Sequence, residues 1–278
     1  MLLRIRDGQL SLESAAVMGV LNVTPDSFSD GGLWYDEDTA VTHALDMVEE
    51  GAQIIDVGGE STRPNADAVP EDEELRRVLP VIKRIAAQTD VAISIDTRKE
   101  SVARAALDAG ASIVNDTLGE EGSIAAVAVE TGAAVVLMHS RGTPKTMRSL
   151  NQYGDVVADV SSFLSKRADE LIAAGVPADA IVVDPGFGFA KGPDQNLELL
   201  DRLDEVVGLG YPTLVGTSRK SFIGAVLDLP EEERLEGTLA TVVWALARGA
   251  KIFRVHDVRA TVRAIRMAEA IDRRSMGQ

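Results

Sequence analysis

The chain has 278 residues, no cysteine, and 28 basic against 44 acidic side chains, a formal net charge of −16. At roughly 100–200 residues per domain, with α/β barrels running to about 250, this length makes one large domain or two small ones. The missing cysteines exclude disulfides, Cys-ligated zinc, iron–sulfur clusters and thiol nucleophiles. The acidic balance excludes a protein that wraps nucleic acid or sits on an anionic membrane, because both need clustered excess cation. An anionic small substrate stays compatible with it, given a locally positive site. The N-terminus has no apolar h-region and no stretch nears the roughly 20 apolar residues of a membrane span, so the reading is cytoplasmic.

Short apolar, β-branched runs alternate with amphipathic helical stretches along the whole chain. Strands are predicted at 17–21, 54–57, 91–95, 112–115, 134–138, 181–184, 213–216 and 251–255. Helices are predicted at 39–50, 71–88, 99–109, 123–131, 155–174, 238–248 and 258–273. Pro70 ahead of Glu71-Asp72-Glu73-Glu74 is a helix start whose acidic first turn suits the macrodipole. The stretch 229–237 reads as an acidic surface loop, and Trp244 as a packing residue. Near-continuous apolar strands mean burial on both faces, hence a parallel sheet under helices. Eight such units with no composition break predict one (β/α)8 TIM barrel spanning 1–278, an α/β fold with long loops after strands one and two. A doubly wound open sheet is the alternative.

In that barrel the chemistry sits at the C-terminal ends of the strands. Every strand ends in polar groups: Asn22 on the first, Asp56 on the second with Thr62, Arg63 and Pro64 beyond it, Asp96 on the third, and Asn115 on the fourth. His139 and Arg141 end the fifth, Asp184 the sixth, Ser218, Arg219 and Lys220 the seventh, and Arg254 and His256 the eighth. Period-2 geometry puts Ile252, Arg254 and His256 on one strand face. With Arg63, Arg219 and Lys220 at the same end, they form an anion site, and Arg suits phosphate through its planar two-donor fork. The bland alternative pairs Arg254 with a helix carboxylate and leaves His256 as a satisfied rim histidine.

Asp96, Asn115 and Asp184 admit two readings. They brace loops and cap helices, or they recognise the edge of a flat heterocycle, a carboxylate accepting two N–H bonds while the amide donates and accepts beside it. Composition alone does not choose. Aromatic residues are scarce at 4%. Phe28, Phe187, Phe189 and Phe222 fall in strand-end segments, where they either plug the barrel or, for Phe187-Gly188-Phe189, form a wall for a stacked ring. The segment from Gly216 to Ser221 lacks the second glycine of a P-loop, and the three histidines are too dispersed for a zinc signature.

Together these segments resemble one family, dihydropteroate synthase. The resemblance rests on Gly19-Val20-Leu21-Asn22-Val23-Thr24-Pro25-Asp26-Ser27-Phe28-Ser29-Asp30-Gly31-Gly32 and Asp56-Val57-Gly58-Gly59-Glu60-Ser61-Thr62-Arg63-Pro64. It continues through Ser94-Ile95-Asp96-Thr97, Asn115-Asp116, Met138-His139, Asp184-Pro185-Gly186-Phe187-Gly188-Phe189, Gly216-Thr217-Ser218-Arg219-Lys220-Ser221 and Arg254-Val255-His256-Asp257. These occur in family order over nearly the whole chain; Asn65 departs from the family's usual glycine.

The resemblance implies a pterin-binding barrel of folate biosynthesis, a sulfonamide target. It would join 6-hydroxymethyl-7,8-dihydropterin pyrophosphate to p-aminobenzoate, giving 7,8-dihydropteroate and pyrophosphate. It implies that Asp96, Asn115, Asp184, Lys220 and Met138 hold the pterin, and that Asn22, Thr62, Arg63, Arg254 and His256 hold pyrophosphate, Asn22 through Mg2+. Phe28, Pro64, Phe189, Ser218 and Arg219 would form the p-aminobenzoate pocket. Catalysis would fall to Lys220, Arg254, His256 and Arg63, and the assembly would be a homodimer. Three alternatives stay open: a methyltetrahydrofolate-dependent methyltransferase, a Schiff-base aldolase using Lys220, and a pterin-binding paralogue without synthase activity. The net charge of −16 does not oppose anionic substrates. At physiological salt the screening length is about 8 Å, so acidic helices far from the mouth count for little there.

Overall fold

The structure is a computed structural model that describes residues 1–24, 37–61, 66–117 and 123–276. The expectations placed on Phe28, Thr62, Arg63, Pro64 and Asn65 lie outside the described residues.

The chain opens with an antiparallel hairpin, β1 (Leu2–Ile5) and β2 (Gly8–Ser11). Eight strands follow: β3 (Ala16–Asn22), β4 (Ile54–Gly58), β5 (Ala92–Asp96), β6 (Ile113–Asp116), β7 (Ala134–Met138), β8 (Ile181–Asp184), β9 (Leu214–Val215) and β10 (Ile252–Val255). Neighbours pair in parallel in the order β8-β7-β6-β5-β4-β3-β10-β9. A parallel bridge between Val183 and Thr213 brings the two ends together and nearly closes the ring. This is the predicted barrel, with each strand within one residue of its expected ends.

The helices are α1 (Glu37–Glu49), α2 (Glu71–Ala86), α3 (Glu100–Asp108), α4 (Ser123–Thr131), α5 (Val156–Ala174), α6 (Pro193–Asp201), α7 (Leu203–Val207), α8 (Ser221–Leu227), α9 (Leu235–Ala247) and α10 (Val258–Met276). The periodic pattern does not reveal α6, α7 and α8. None exceeds nine residues, too few turns for a helical period to stand out. The acidic stretch expected as a loop holds a short 3₁₀ turn, Glu231–Glu233, and α9 begins at Leu235.

Strand parity divides the core in two. Val17, Ile55, Ile93, Val114, Val135, Val183 and Phe253 face outward and pack under the helices with residues such as Val78, Ile82 and Ile85 of α2. Met18, Ile54, Ile113, Val136, Val182, Leu214 and Ile252 face inward. The hairpin seats Leu3, and the chain after it Leu12, against this inner set and seals the lower end. Each fully buried aliphatic side chain contributes about 1.5–3 kcal/mol. Moving up each strand, the inward positions turn polar: Ile54 gives way to Asp56, Ala92 to Ser94 and Asp96, Ile113 to Asn115, and Ile252 to Arg254 and His256. The apolar lower layers supply stability, and the polar upper end is left for chemistry.

Candidate active site

A cavity of about 370 Å3 opens at the C-terminal ends of the strands, lined among others by Asn22, Phe189, Lys220, Arg254 and His256. Such a volume is that of a small-molecule site. Arg254, in its lining, belongs to a buried charged cluster. Arg254 donates through Nε to Oδ2 of Asp56 at 2.6 Å and through a terminal nitrogen to Oδ2 of Asp96 at 2.8 Å. The same Asp56 oxygen accepts from Nδ2 of Asn115 at 3.1 Å. Asp56 is fully buried. Three atoms in this layer have no partner among the described residues: Oδ1 of Asp56, Oγ of Ser94 and Oδ1 of Asn115. Buried polar atoms are nearly always hydrogen-bonded, so unused capacity gathered in one inward layer around Arg254 marks a place for a polar ligand. Burial raises the Asp96 carboxyl to about 7, against the pull of Arg254 and with help from the Asp56 charge. Against a burial penalty, Asp56 and Asp96 raise Arg254 above its ordinary value.

Asp184 ends β8 on the other side of the cavity. Its Oδ1 accepts from the Gly186 amide at 2.7 Å, and burial raises its pKa against the attraction of Lys220. Lys220 donates to the Phe187 carbonyl, and its Nζ lies 4.4 Å over the Phe189 ring. Burial lowers Lys220 to about 8, with Asp184 pulling the other way. Gly188, at φ +78°, lets the loop pass this lysine: a Cβ there would stand 2.9 Å from Lys220 Cδ. Met138 is buried at the end of β7, on the inward parity of the strand.

The wall of two phenylalanines is corrected. Phe187 is 0% exposed and packs with the outer core, whereas Phe189 reaches the cavity. Phe222 is buried as well. The left-handed backbone at Gly186 and Gly188 breaks the extended alternation, so two rings two residues apart point to different sides.

His256 and Ser218 meet at the rim, with Ser218 Oγ 3.0 Å from Nδ1 of His256. Arg219 lines the cavity, but its guanidinium binds Asp257 through two bonds of 2.9 and 2.6 Å. Of the cations expected at the anion site, Arg219 and Arg254 are both matched to carboxylates of the chain. Asn22 sits beside Arg254 and His256, and its side-chain amide has no partner among the described residues.

Three residues of the site have no role in the sequence reading. Asp56 stands in it without a role, although an acid at an inward position between Ile54 and Gly58 is a signal in itself. Arg148 and Arg234 line the mouth and make no ion pair among the described residues. They lie on segments beyond the strand ends, where a strand-end survey does not look. His139, which that survey includes, points outward to Phe163 and Tyr153 because it follows the inward Met138.

A family model described as pterin binding enzyme matches residues 18–256, which puts the barrel and its polar mouth in the class of pterin-binding enzymes. The dihydropteroate synthase of Bacillus subtilis is 50% identical over 261 residues, 93% of this chain and 89% of that one. The crystal structure of the Yersinia pestis dihydropteroate synthase with a sulfonamide drug superposes with a TM-score of 0.93 at 44% identity, covering 98% of this chain and 99% of that one. The Xanthomonas albilineans dihydropteroate synthase in complex with 7,8-dihydropteroate superposes at 0.89 with 41% identity, again over 98% and 99%. The chain belongs to the dihydropteroate synthases, which are transferases of folate biosynthesis.

Proposed function

We propose that the cavity joins 6-hydroxymethyl-7,8-dihydropterin pyrophosphate to p-aminobenzoate by dissociative loss of pyrophosphate. The observation that carries this reading is the unfilled hydrogen-bonding capacity of Asp56, Ser94 and Asn115 beside Asp96, Asp184 and Lys220. A flat heterocycle with donors and acceptors on its edge fits that demand. Asp96, Asn115, Asp184 and Lys220 hold the pterin, with Met138 against its ring. Arg254 and His256 face the leaving group, joined by Thr62 and Arg63. Phe189, Ser218 and the Arg219 segment line the amine pocket, with Phe28 and Pro64. The bond from the pterin methylene to the pyrophosphate oxygen breaks, and the electron pair leaves with the pyrophosphate. The amine nitrogen then captures the methylene cation and sheds a proton to solvent. An arylamine is already a nucleophile, so stabilising the departing charge is the main task of the site.

The family's magnesium has one fitting donor here. The Asn22 amide oxygen stands at the mouth with no partner among the described residues, and Mg2+ needs few protein ligands because phosphate oxygens and water complete its shell. Among the described residues no group of three or more His, Cys, Asp or Glu could hold a metal by itself. When bound, Mg2+ supplies counter-charge to the pyrophosphate. Pyrophosphate release is expected to need the pterin substrate, p-aminobenzoate and Mg2+ together, with dihydropteroate seen by mass spectrometry. Asn22→Ala is expected to raise the Mg2+ concentration for half-maximal rate. Saturating substrates that release no pyrophosphate would favour a pterin-binding paralogue; methyl transfer without dihydropteroate would favour a methyltransferase.

A homodimer through the late helices belongs to the same reading. Val243 and Trp244 on α9 and Met267 and Ile271 on α10 are exposed, Met267 at 63%. Sedimentation is expected to show twice the chain mass, lost on Met267→Lys; a monomeric parent chain would refute it. Among the described residues no helix is long and apolar enough to cross a membrane. A cytoplasmic location goes with this reading, and cell fractionation tests it.

A further inference from the structure

Lys191 is 8% exposed and makes no ion pair among the described residues. A lysine buried without a carboxylate is expensive, and a methionine would fill the same space at lower cost. What surrounds the nitrogen instead is a set of acceptors. Nζ lies 3.0 Å from the Gly186 carbonyl, 3.1 Å from the Phe189 carbonyl, 2.9 Å from Nδ1 of His139 and 3.4 Å from the His139 carbonyl. One side chain thus ties both ends of the segment after β8 to the end of β7.

That segment cannot hold its shape unaided. Gly186, Gly188 and Ala190 have φ values of +69°, +78° and +49°. Left-handed backbone at Ala190 is strained, because its Cβ crowds the carbonyl. The contact with β7 is close as well: a Cβ on Gly186 would stand 2.0 Å from the His139 carbonyl oxygen. Burial drives the His139 pKa down to about 2, with Lys191 and Arg141 adding to the fall. Its ring therefore stays neutral, and Nδ1 pairs with Lys191 Nζ at 2.9 Å without a second buried charge. Asn196 adds a second tie from α6, accepting from the Gly188 amide at 2.7 Å.

We propose that Lys191 is a positioning residue that holds the β8–α6 loop, so that Asp184 at one end and Phe189 at the other keep a fixed relation. The proposal rests on the reading above in which Asp184 meets the pterin and Phe189 the arylamine. Lys191 touches neither substrate. It acts through the backbone carbonyls that shape the loop, and so it couples the two halves of the site.

The test compares Lys191→Met with Asp184→Asn and Phe189→Ala, using KM for each substrate, kcat, and hydrogen exchange of the peptide covering 184–191. Lys191→Met is expected to raise both KM values and to lower kcat/KM on the order of tenfold to a hundredfold, as small displacements of reacting groups do. Exchange at Gly186 and Gly188 is expected to quicken, while far-ultraviolet dichroism stays as in the parent. Asp184→Asn is expected to move only the pterin KM, and Phe189→Ala only the amine KM. If those two variants left both KM values alone, the substrate assignment would fall while the exchange result still judged Lys191. A folded Lys191→Met with unchanged KM values and unchanged exchange overturns the proposal. Lys191→Gln, which keeps two donors, is expected to recover part of the loss. Failure of both variants to fold would make Lys191 a core residue and overturn it equally.

Discussion

Arg254→Ala is expected to lower kcat/KM for the pterin pyrophosphate by about 10²–10³, the loss typical of removing one donor aimed at developing charge. Two effects act in the same direction. In the proposed reaction the departing pyrophosphate loses a guanidinium of the cavity lining. Asp56 and Asp96, which Arg254 binds at 2.6 and 2.8 Å, lose their shared counter-charge. Breaking a buried pair by removing one partner leaves an uncompensated charge, and Asp96, which Arg254 holds down, responds by keeping its proton. Arg254→Lys is expected to restore only a small part of the rate, because one ammonium cannot reproduce two divergent guanidinium bonds. Steady-state kinetics with circular dichroism on each variant make the check. An Arg254→Ala enzyme that folds normally and turns over within about twofold of the parent would end the leaving-group role of this residue.

The second large effect is on pH dependence. Burial places Asp96 at about 7 and Lys220 at about 8 in the substrate-free site. The sign follows from the charge each needs. Asp96 accepts N–H bonds as a carboxylate, so activity falls as pH drops below about 7. Lys220 donates as an ammonium, so activity falls as pH rises above about 8. The pH profile of kcat/KM reports the free enzyme, so a narrow bell is expected, losing about tenfold per pH unit on each limb. Lys220→Arg is expected to remove the alkaline limb, since a guanidinium stays charged throughout. Asp96→Asn is expected to remove the acid limb at a much lower maximum. Should either limb persist unchanged in its variant, that ionisation belongs to substrate or to another residue.

Much of this site is legible in the order of the amino acids. Strand ends can be read because the inside–outside alternation of a strand is a local rule, and barrel topology gathers all eight ends at one rim. Asn22, Asp96, Asn115, Asp184, Lys220, Arg254 and His256 follow from that rule. The same alternation, carried one step further, moves His139 to the outer face and draws attention to Asp56. Lys191 gives no such signal, because its role depends on the fold of a loop whose backbone conformation no periodic pattern encodes.

Charge shows the division most clearly. Buried β-branched runs alternating with amphipathic helices are enough to predict eight parallel units and the residues that stand at their strand ends. They also show that a net charge of −16 on the chain does not decide the charge of the mouth. Which of the rim cations are already matched depends on the folded barrel alone. Arg219 is bound by Asp257, and Arg254 by Asp56 and Asp96, while Lys220 faces an aromatic ring and a carbonyl. The physical reason is range. Secondary structure answers to neighbours a few residues away. Ion pairing answers to distances of a few ångströms between residues such as Asp56 and Arg254, which the chain brings together only when the barrel closes.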